Sequence, residues 1–235
     1  MNPSRRLGIL GGMFDPIHHG HLDTGAAAQR ALDLTSLVVV PAKIPPHRAQ
    51  PIANGFHRFA MVAMAIAGRP GWRALDLELS QPARSYTSDT LRHLHGAGFR
   101  PTELFFVAGA DAFLEIATWK DYPALLDLAH FAVVARPGVG VGELPARLPA
   151  LTSRMRLVDD AAPVPIRAQP GPAVDERTFI FLIDATTADV SSTAIRRARL
   201  DHRTIAGMVP PAVEQHIAQH ALYEDPSPTA CGDPS

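Results

Sequence analysis

The chain has 235 residues, a formal net charge of −1 and a single cysteine, and 46% of its residues are hydrophobic. The length suffices to bury a large core, and we expect one domain over residues 1–224 and a disordered tail at 225–235. The near-neutral charge gives no reason to expect nucleic acid or a membrane as a partner. Because the sequence lacks a signal segment, a long apolar run and a second cysteine, we expect a cytoplasmic protein.

Strand-like and helix-like segments alternate along the chain. Apolar runs predict buried strands at 7–10, 36–41, 103–108, 131–135 and 178–183, and alternation predicts a half-exposed strand at 75–79. Helical spacing or boundary signals predict helices at 56–67, 88–94, 122–129, 192–200 and 211–223. Residues 137–175, rich in Pro, Gly and Ala, are expected to be a loop-rich insert with one or two short elements. The alternation predicts an α/β fold, a parallel sheet with helices on both faces.

The most informative motif is a loop rich in glycine and histidine that follows the first strand. Paired glycines lead into a Pro turn, and a His-x-Gly-His sequence at 18–21 opens an Ala-rich helix. Glycines let a ligand approach the backbone, and free N–H groups at a helix start attract phosphate. The motif therefore predicts a nucleotide phosphate site. Its candidate members are Gly11, Gly12, Met13, Phe14, His18 and His21.

Two other interpretations of this loop are weaker. His18, His19 and His21 could bind zinc, but no Cys, Asp or Glu stands at a familiar ligand spacing, so we predict no protein metal site. A loop with surface histidines would not require the glycines, the turn and the helix start to coincide. The sequence also lacks the three-glycine dinucleotide fingerprint and the Walker loop.

A second motif, at 189–197, combines hydroxyl groups with arginine near a helix start. Ser191 or Ser192 is a candidate N-cap. Thr193 and Arg196 lie on adjacent turns of the helix that follows. Hydroxyls, helix N–H groups and a guanidinium together form an anion clamp. An ordinary Ser-capped surface helix has the same pattern, so this prediction depends on the pairing with the histidine motif.

Together the two motifs resemble the nucleotidyltransferase superfamily of the α/β-phosphodiesterase type, and more narrowly the bacterial nicotinate mononucleotide adenylyltransferases. Intervening segments match this family in the same order over residues 7–223. They are Pro45-Pro46-His47-Arg48, Ser85-Tyr86-Thr87, Gly109-Ala110-Asp111, Trp119 and Arg136-Pro137-Gly138. The resemblance implies a Rossmann-like parallel sheet with the site at the carboxyl ends of its strands.

The activity implied by the resemblance is transfer of AMP from ATP to nicotinate mononucleotide in NAD biosynthesis. The implied cofactor is Mg²⁺, held by substrate and water rather than by a carboxylate cage. The implied catalytic residues are His18, His21 and Arg196. The implied ATP-binding residues are Gly11, Gly12, Met13, Phe14, His47, Arg48, Gly109, Asp111, Ser191, Ser192 and Thr193. The implied residues for nicotinate mononucleotide are Tyr86, Thr87 and Trp119.

The sequence also departs from the family and leaves alternatives open. Gln81 stands where members often have Arg, and Ala83-Arg84 where they often have Gly-Pro, just before the pyridine-binding segment. One rival is an adenylyltransferase acting on nicotinamide mononucleotide or phosphopantetheine. Another is a non-catalytic nucleotide-binding domain, which the two intact motifs argue against, because binding alone would not require both. Whether the chain forms a homo-oligomer stays open.

Overall fold

The computed structural model describes residues 5–44, 51–81, 85–159 and 177–224. Within these residues, seven strands form one parallel sheet in the order β3-β2-β1-β4-β5-β7-β6. The predicted parallel α/β fold is therefore confirmed. The strands are β1 (Leu7–Gly12), β2 (Ser36–Pro41), β3 (Trp72–Ala74), β4 (Leu104–Gly109), β5 (His130–Val134), β6 (Met155–Asp159) and β7 (Ile180–Asp184).

Helices cover both faces of the sheet and bury two separate apolar clusters. The helices are α1 (His19–Ala31), α2 (Gly55–Ile66), α3 (Thr87–Gly96), α4 (Ala110–Phe113), α5 (Leu144–Arg147), α6 (Ser192–Leu200) and α7 (Pro211–Gln219). One cluster joins α1, α2, α6 and α7 to the sheet, and the other joins α3, α4 and α5 to it. Neighbouring residues of β1 divide between them: Leu10 belongs to the first and Ile9 to the second. This two-sided burial explains why the strands are continuous apolar runs.

Two segments differ from the sequence-based expectation. The strand predicted at 75–79 is wrong, because pairing with β2 ends at Ala74 and residues 77–80 form a turn closed by the Ser80 N–H on the Asp76 carbonyl. The alternating leucines there, at 75 and 77, pack against the second cluster from outside the sheet. The stretch expected to be loop-rich contains three short helices and β6, an edge strand paired with β7. Its remainder, 160–175, and the tail at 225–235 lie outside the described residues.

The strand order places a crevice at the carboxyl ends of β1 and β4. From β1 the chain builds β2 and β3 on one side and then returns to add β4 on the other. Loops leaving neighbouring strands in opposite directions open a crevice there, and ligands of doubly wound sheets bind in it. Gly11 and Gly12 end β1, and Gly109 ends β4, so the predicted glycines border this crevice. In the described part of the chain, no helix has the length and apolar character needed to cross a membrane.

Gly25 lets α1 pass close to the indole of Trp72. A Cβ at Gly25 would lie 2.4 Å from Cη2 of Trp72, whose ring is buried and donates its N–H to Gln29 at 2.7 Å. We expect Gly25→Ala to lower the free energy of unfolding by about 1–3 kcal/mol through overpacking, despite the better helix propensity of Ala. Urea denaturation measures the change.

Gly96→Ala is the matched control for Gly25→Ala. Gly96 is also helical, has a negative φ, and has no described atom within 4 Å of an added Cβ. This variant should be neutral or more stable by up to about 1 kcal/mol. Equal changes in the two variants would show that the Trp72 contact does not decide the effect.

Candidate active site

A buried carboxylate organises the loop between β1 and α1. Asp15 is 2% exposed. It accepts hydrogen bonds from the backbone N–H groups of Ile52 and Ala53, at 2.8 and 3.0 Å, and from the Tyr223 hydroxyl at 2.8 Å. Burial, followed by the charge of Asp15, raises the pKa of Tyr223, so its hydroxyl remains a donor. The loop is thus attached to the segment before α2 and to the end of the described chain.

Arg58 provides a second anchor for this loop. It is 1% exposed and donates to the carbonyl oxygens of Ala53, Met13 and Ala42 at 3.1, 2.7 and 2.6 Å. Burial lowers its pKa, and the nearby Asp15 acts in the opposite direction. The guanidinium therefore fixes Met13, in the loop, relative to the residue that follows β2.

Phe14 supports the loop from the core. Its backbone has φ +48°. Its ring lies close to Gly12, because a Cβ built at Gly12 would be 2.9 Å from Cζ of Phe14. The ring also meets the His21 ring edge-on, with centroids 5.0 Å apart. Phe14 is 1% exposed, so its ring packs beneath Gly12 and His21.

His18 and His21 form a stacked pair at the start of α1. His18 is the N-cap, and its backbone N–H donates to Nδ1 of His21 at 3.3 Å. The ring centroids are 3.7 Å apart, with the planes at 30°. Since Nδ1 of His21 accepts this hydrogen bond, a neutral His21 carries its proton on Nε2.

His18 is held neutral by its surroundings. It is 2% exposed, and its Nδ1 has no hydrogen-bond partner among the described residues. Burial, then the charge of Arg136, then His19, lowers the pKa of His18 to about 3. Among the residues that the structure describes, the segment 18–21 contributes to no group of three side chains that could hold a metal ion. The zinc interpretation of this motif therefore gains no support.

The start of α6 is hydrogen-bonded directly to the histidine loop. Arg196 donates from Nη1 to the Asp15 carbonyl at 2.7 Å and from Nη2 to the Thr193 hydroxyl at 3.3 Å. Of the two candidate caps, Ser191 accepts from the Ala194 N–H at 3.1 Å. The Ser192 hydroxyl instead donates to the Pro16 carbonyl at 2.9 Å. The structure thus brings the two predicted motifs, far apart in sequence, into one place.

Arg136 enters the crevice from the other side and was not among the residues selected from the sequence. It follows β5 and faces two glycines. A Cβ at Gly20 would lie 2.7 Å from its Nη1, and one at Gly109 would lie 3.0 Å from its Cγ and 2.5 Å from Oδ1 of Asp111. Gly109 and Asp111 are therefore next to the α1 start, as the prediction of a shared site requires. The only sequence signal for Arg136 was its place in the Arg-Pro-Gly segment.

The residues expected to bind the nicotinate nucleotide lie around the start of α3. Tyr86 is the N-cap and Thr87 the first helical residue. Lys120 lies 4.6 Å from the centre of the Tyr86 ring. Trp119 is half-buried, and its ring meets the Phe106 ring edge-on with the centroids 5.8 Å apart. Cζ of Phe106 in turn lies 3.2 Å from a Cβ built at Gly11. Trp119 therefore packs partly in the core and is linked through Phe106 to the end of β1.

Lys43 connects the end of β2 with the chain just before α3. Its backbone N–H donates to the Ser85 hydroxyl at 2.8 Å, and its Nζ donates to the Gln81 carbonyl at 2.6 Å. Gln81 is exposed. His47 and Arg48, expected to bind phosphate, and the Ala83-Arg84 pair lie outside the described residues.

Comparison with known proteins identifies the family. A family model described as cytidylyltransferase-like matches residues 9–198. A protein of Desulfatibacillum aliphaticivorans named "Probable nicotinate-nucleotide adenylyltransferase" is 41% identical, covering 93% of this chain and 99% of its own. The protein of the same name from Geotalea uraniireducens is 36% identical over 94% of this chain and 99% of its own.

Solved structures agree on the fold. The nicotinic acid mononucleotide adenylyltransferase of Plasmodium falciparum, complexed with NaAD, superposes with a TM-score of 0.71 over 93% of this chain and 97% of that one. Its sequence identity is 18%, so this likeness supports the architecture alone. The family model and the relatives at 36–41% identity, which match over nearly their whole length, place the chain in the cytidylyltransferase-like family and, within it, among the nicotinate-nucleotide adenylyltransferases.

Proposed function

We propose that this chain transfers AMP from ATP to the 5′-phosphate of nicotinate mononucleotide, forming nicotinate adenine dinucleotide and pyrophosphate for NAD biosynthesis. The observation that carries the proposal is the hydrogen-bonded junction between the β1–α1 loop and the start of α6, made by Arg196 and Ser192. Two helix starts and a guanidinium converge there at the topological switch point, which suits a polyphosphate. The names of the relatives support the choice of substrates.

The reaction needs positioning and charge stabilisation more than a base. A phosphate oxygen of the mononucleotide is already a nucleophile at neutral pH. It forms a bond to the α-phosphorus of ATP while the bond to the bridging oxygen breaks, and negative charge gathers on the departing pyrophosphate. Catalysis of such a step comes from orienting two anions and stabilising the developing charge.

The roles of the histidines follow from their hydrogen bonding. The His18 backbone N–H donates to Nδ1 of His21, so Nε2 is the nitrogen from which a neutral His21 donates, and we assign that N–H to the α-phosphoryl oxygens. His18 is buried and stacked on His21, and we assign it to orienting that ring. Arg196 and Thr193 would bind the outer phosphates, and Arg136 adds positive charge between the Gly20 and Gly109 backbones.

A magnesium ion fits this site as part of the substrate. Asp15 is buried and engaged in three hydrogen bonds, so it is not available as a ligand. The remaining donors of the loop and of α6 are imidazole, guanidinium and hydroxyl groups, which do not make the oxygen cage that Mg²⁺ requires. Phosphate oxygens and water would hold the ion, and it would neutralise charge on the pyrophosphate. Asp111 is exposed next to Gly109 and would bind ribose.

Acid recognition at the pyridine ring would use the start of α3. Its first N–H groups and the Thr87 hydroxyl can donate to both oxygens of a carboxylate. The Trp119 ring, half-buried, would stack on the pyridine. Release of pyrophosphate from ATP with nicotinate mononucleotide, nicotinamide mononucleotide or phosphopantetheine tests this proposal. Release with none of them would instead favour a non-catalytic nucleotide-binding domain.

Replacing His21 tests the proposed phosphoryl donor. We expect His21→Ala to reduce kcat by about 10²–10³-fold, as removal of a transition-state donor does. Its melting temperature should stay close to that of the wild type, because Ala is a good helix former in the first turn of α1. His93→Ala, at an exposed position on α3, is the control and should keep full activity. Near-normal turnover in a folded His21→Ala protein would contradict the assignment.

Neighbouring arginines on α6 allow a matched comparison. Arg196 is hydrogen-bonded to the histidine loop, whereas the side chain of Arg197 is 80% exposed. We expect Arg196→Ala to raise KM for ATP or lower kcat by about 10–100-fold, the range for a charge-assisted hydrogen bond, and to leave mononucleotide binding nearly unchanged. Arg197→Ala should change neither constant. Equal kinetics for the two variants would reduce the motif to an ordinary capped helix.

Substrate choice tests the pyridine side. The nicotinamide form presents an NH₂ donor where the α3 start also offers donors, which leaves a buried group unpaired. We expect kcat/KM to favour the nicotinate form by about 10–100-fold, equivalent to about 1–3 kcal/mol. Kinetics for both mononucleotides at saturating ATP and magnesium measure this ratio. A ratio near one, or an amide preference, would overturn the specificity and leave adenylyl transfer standing.

A further inference from the structure

Three histidines that the proposed reaction does not use lie together where α2 packs on α7. His57 is in the first turn of α2, His216 is in the last turn of α7, and His220 directly follows α7. Their ring centroids are 4.5–5.2 Å apart, and one nitrogen from each ring lies within 4.8 Å of the others. We propose that these imidazoles form a binding site for a divalent transition-metal ion, with Zn²⁺ as the main candidate.

The spacing suits such an ion. His216 and His220 are four residues apart and so share one face of the helix, an arrangement that binds zinc elsewhere. Zinc–nitrogen bonds of about 2.0–2.1 Å in a tetrahedral site require nitrogens about 3.3 Å apart. Nδ1 of His57 and Nε2 of His216 are 3.0 Å apart. His220 is exposed and can rotate into place, which leaves a fourth position for water.

The contact between His57 and His216 is compatible with metal binding. Neutral imidazole is the form that binds a metal. One of the two nitrogens that face each other across the 3.0 Å contact carries a hydrogen. On metal binding this hydrogen would move through solvent to the other nitrogen of the same ring. Both rings would therefore stay neutral, and no proton would be released.

The position of the site gives the metal a structural role. The residues just before α2, Ile52 and Ala53, bind Asp15 through their N–H groups. Tyr223, three residues after His220, binds the same carboxylate. An ion held by His57 and His220 would link these two anchors and stabilise the β1–α1 loop. The inference does not depend on the proposed reaction, since it concerns only folding contacts.

Metal titration of the full-length chain, without a histidine tag and pretreated with chelator, tests the site. At a Zn²⁺ concentration about 100-fold above Kd, the melting temperature should rise by roughly 5–10 °C. Co²⁺ should give the visible absorption bands of a four-coordinate site with three imidazole ligands. Mg²⁺ at the same concentration should do neither, because it prefers oxygen ligands.

Variants connect the signals to these residues. Residue 220 is exposed, so His220→Gln should have the melting temperature of the wild type without metal. Its Kd for Zn²⁺ should be at least about 100-fold higher, since loss of even an outer-shell partner lowers metal affinity by about 10–100-fold. His57→Gln should do the same from the other helix. His93→Gln is the exposed control and should bind as the wild type does. The proposal is overturned if Zn²⁺ does not raise the melting temperature, if Co²⁺ gives no such bands, or if His220→Gln binds normally.

Discussion

The buried carboxylate of Asp15 is the interaction on which the candidate site depends. An unpaired buried carboxylate is costly, so it must be surrounded by donors. Here the donors are the N–H groups before α2 and the hydroxyl of Tyr223. The carbonyl of the same residue accepts from Arg196 on α6. One residue in the histidine loop therefore fixes three segments from different parts of the chain, and the geometry of the loop is a property of the whole domain.

The charges around the loop are suited to anions. Arg136 and Arg196 approach it from β5 and α6, and the positive ends of α1 and α6 add partial charge. Burial and the charge of Arg136 also disfavour a proton on His18, whose pKa is lowered to about 3. In the proposed reaction, positive charge for the phosphates would therefore come from the fixed guanidinium groups rather than from a protonated His18.

Much of this could be predicted from the sequence, because the signals were local. Continuous apolar runs predicted the central strands, and the glycines with the His-x-Gly-His sequence predicted the loop between β1 and α1. The leucines at 75 and 77 led to the wrong prediction of a strand. Alternation indicates only that every second side chain is buried, and a turn that packs against the core can bury side chains in the same pattern. The edge strand β6 was missed for the opposite reason: Leu157 in it is 72% exposed, so no apolar run marks it.

The long-range partners could not be predicted. Asp15 and Tyr223 are 208 residues apart in sequence, and nothing in either neighbourhood indicates the other. Arg58 was hidden inside a helix whose pattern only signalled amphipathic packing, yet its guanidinium holds carbonyls from three segments. The trio of His57, His216 and His220 became visible only when α2 and α7 were placed side by side.

These hidden contacts share one location, the side of the domain where α2 and α7 meet. The helices that cover this side contribute no residue to the predicted phosphate motifs, yet the segments that flank them supply the donors that fix Asp15, and α2 supplies the arginine that fixes Met13. A substitution that weakens the contact between α2 and α7 should therefore disturb the histidine loop, through the hydrogen bonds of Asp15, more than it disturbs the sheet. The sequence motifs identify the groups that we propose to meet the substrate, while the packing of α2 and α7 helps to hold those groups in place.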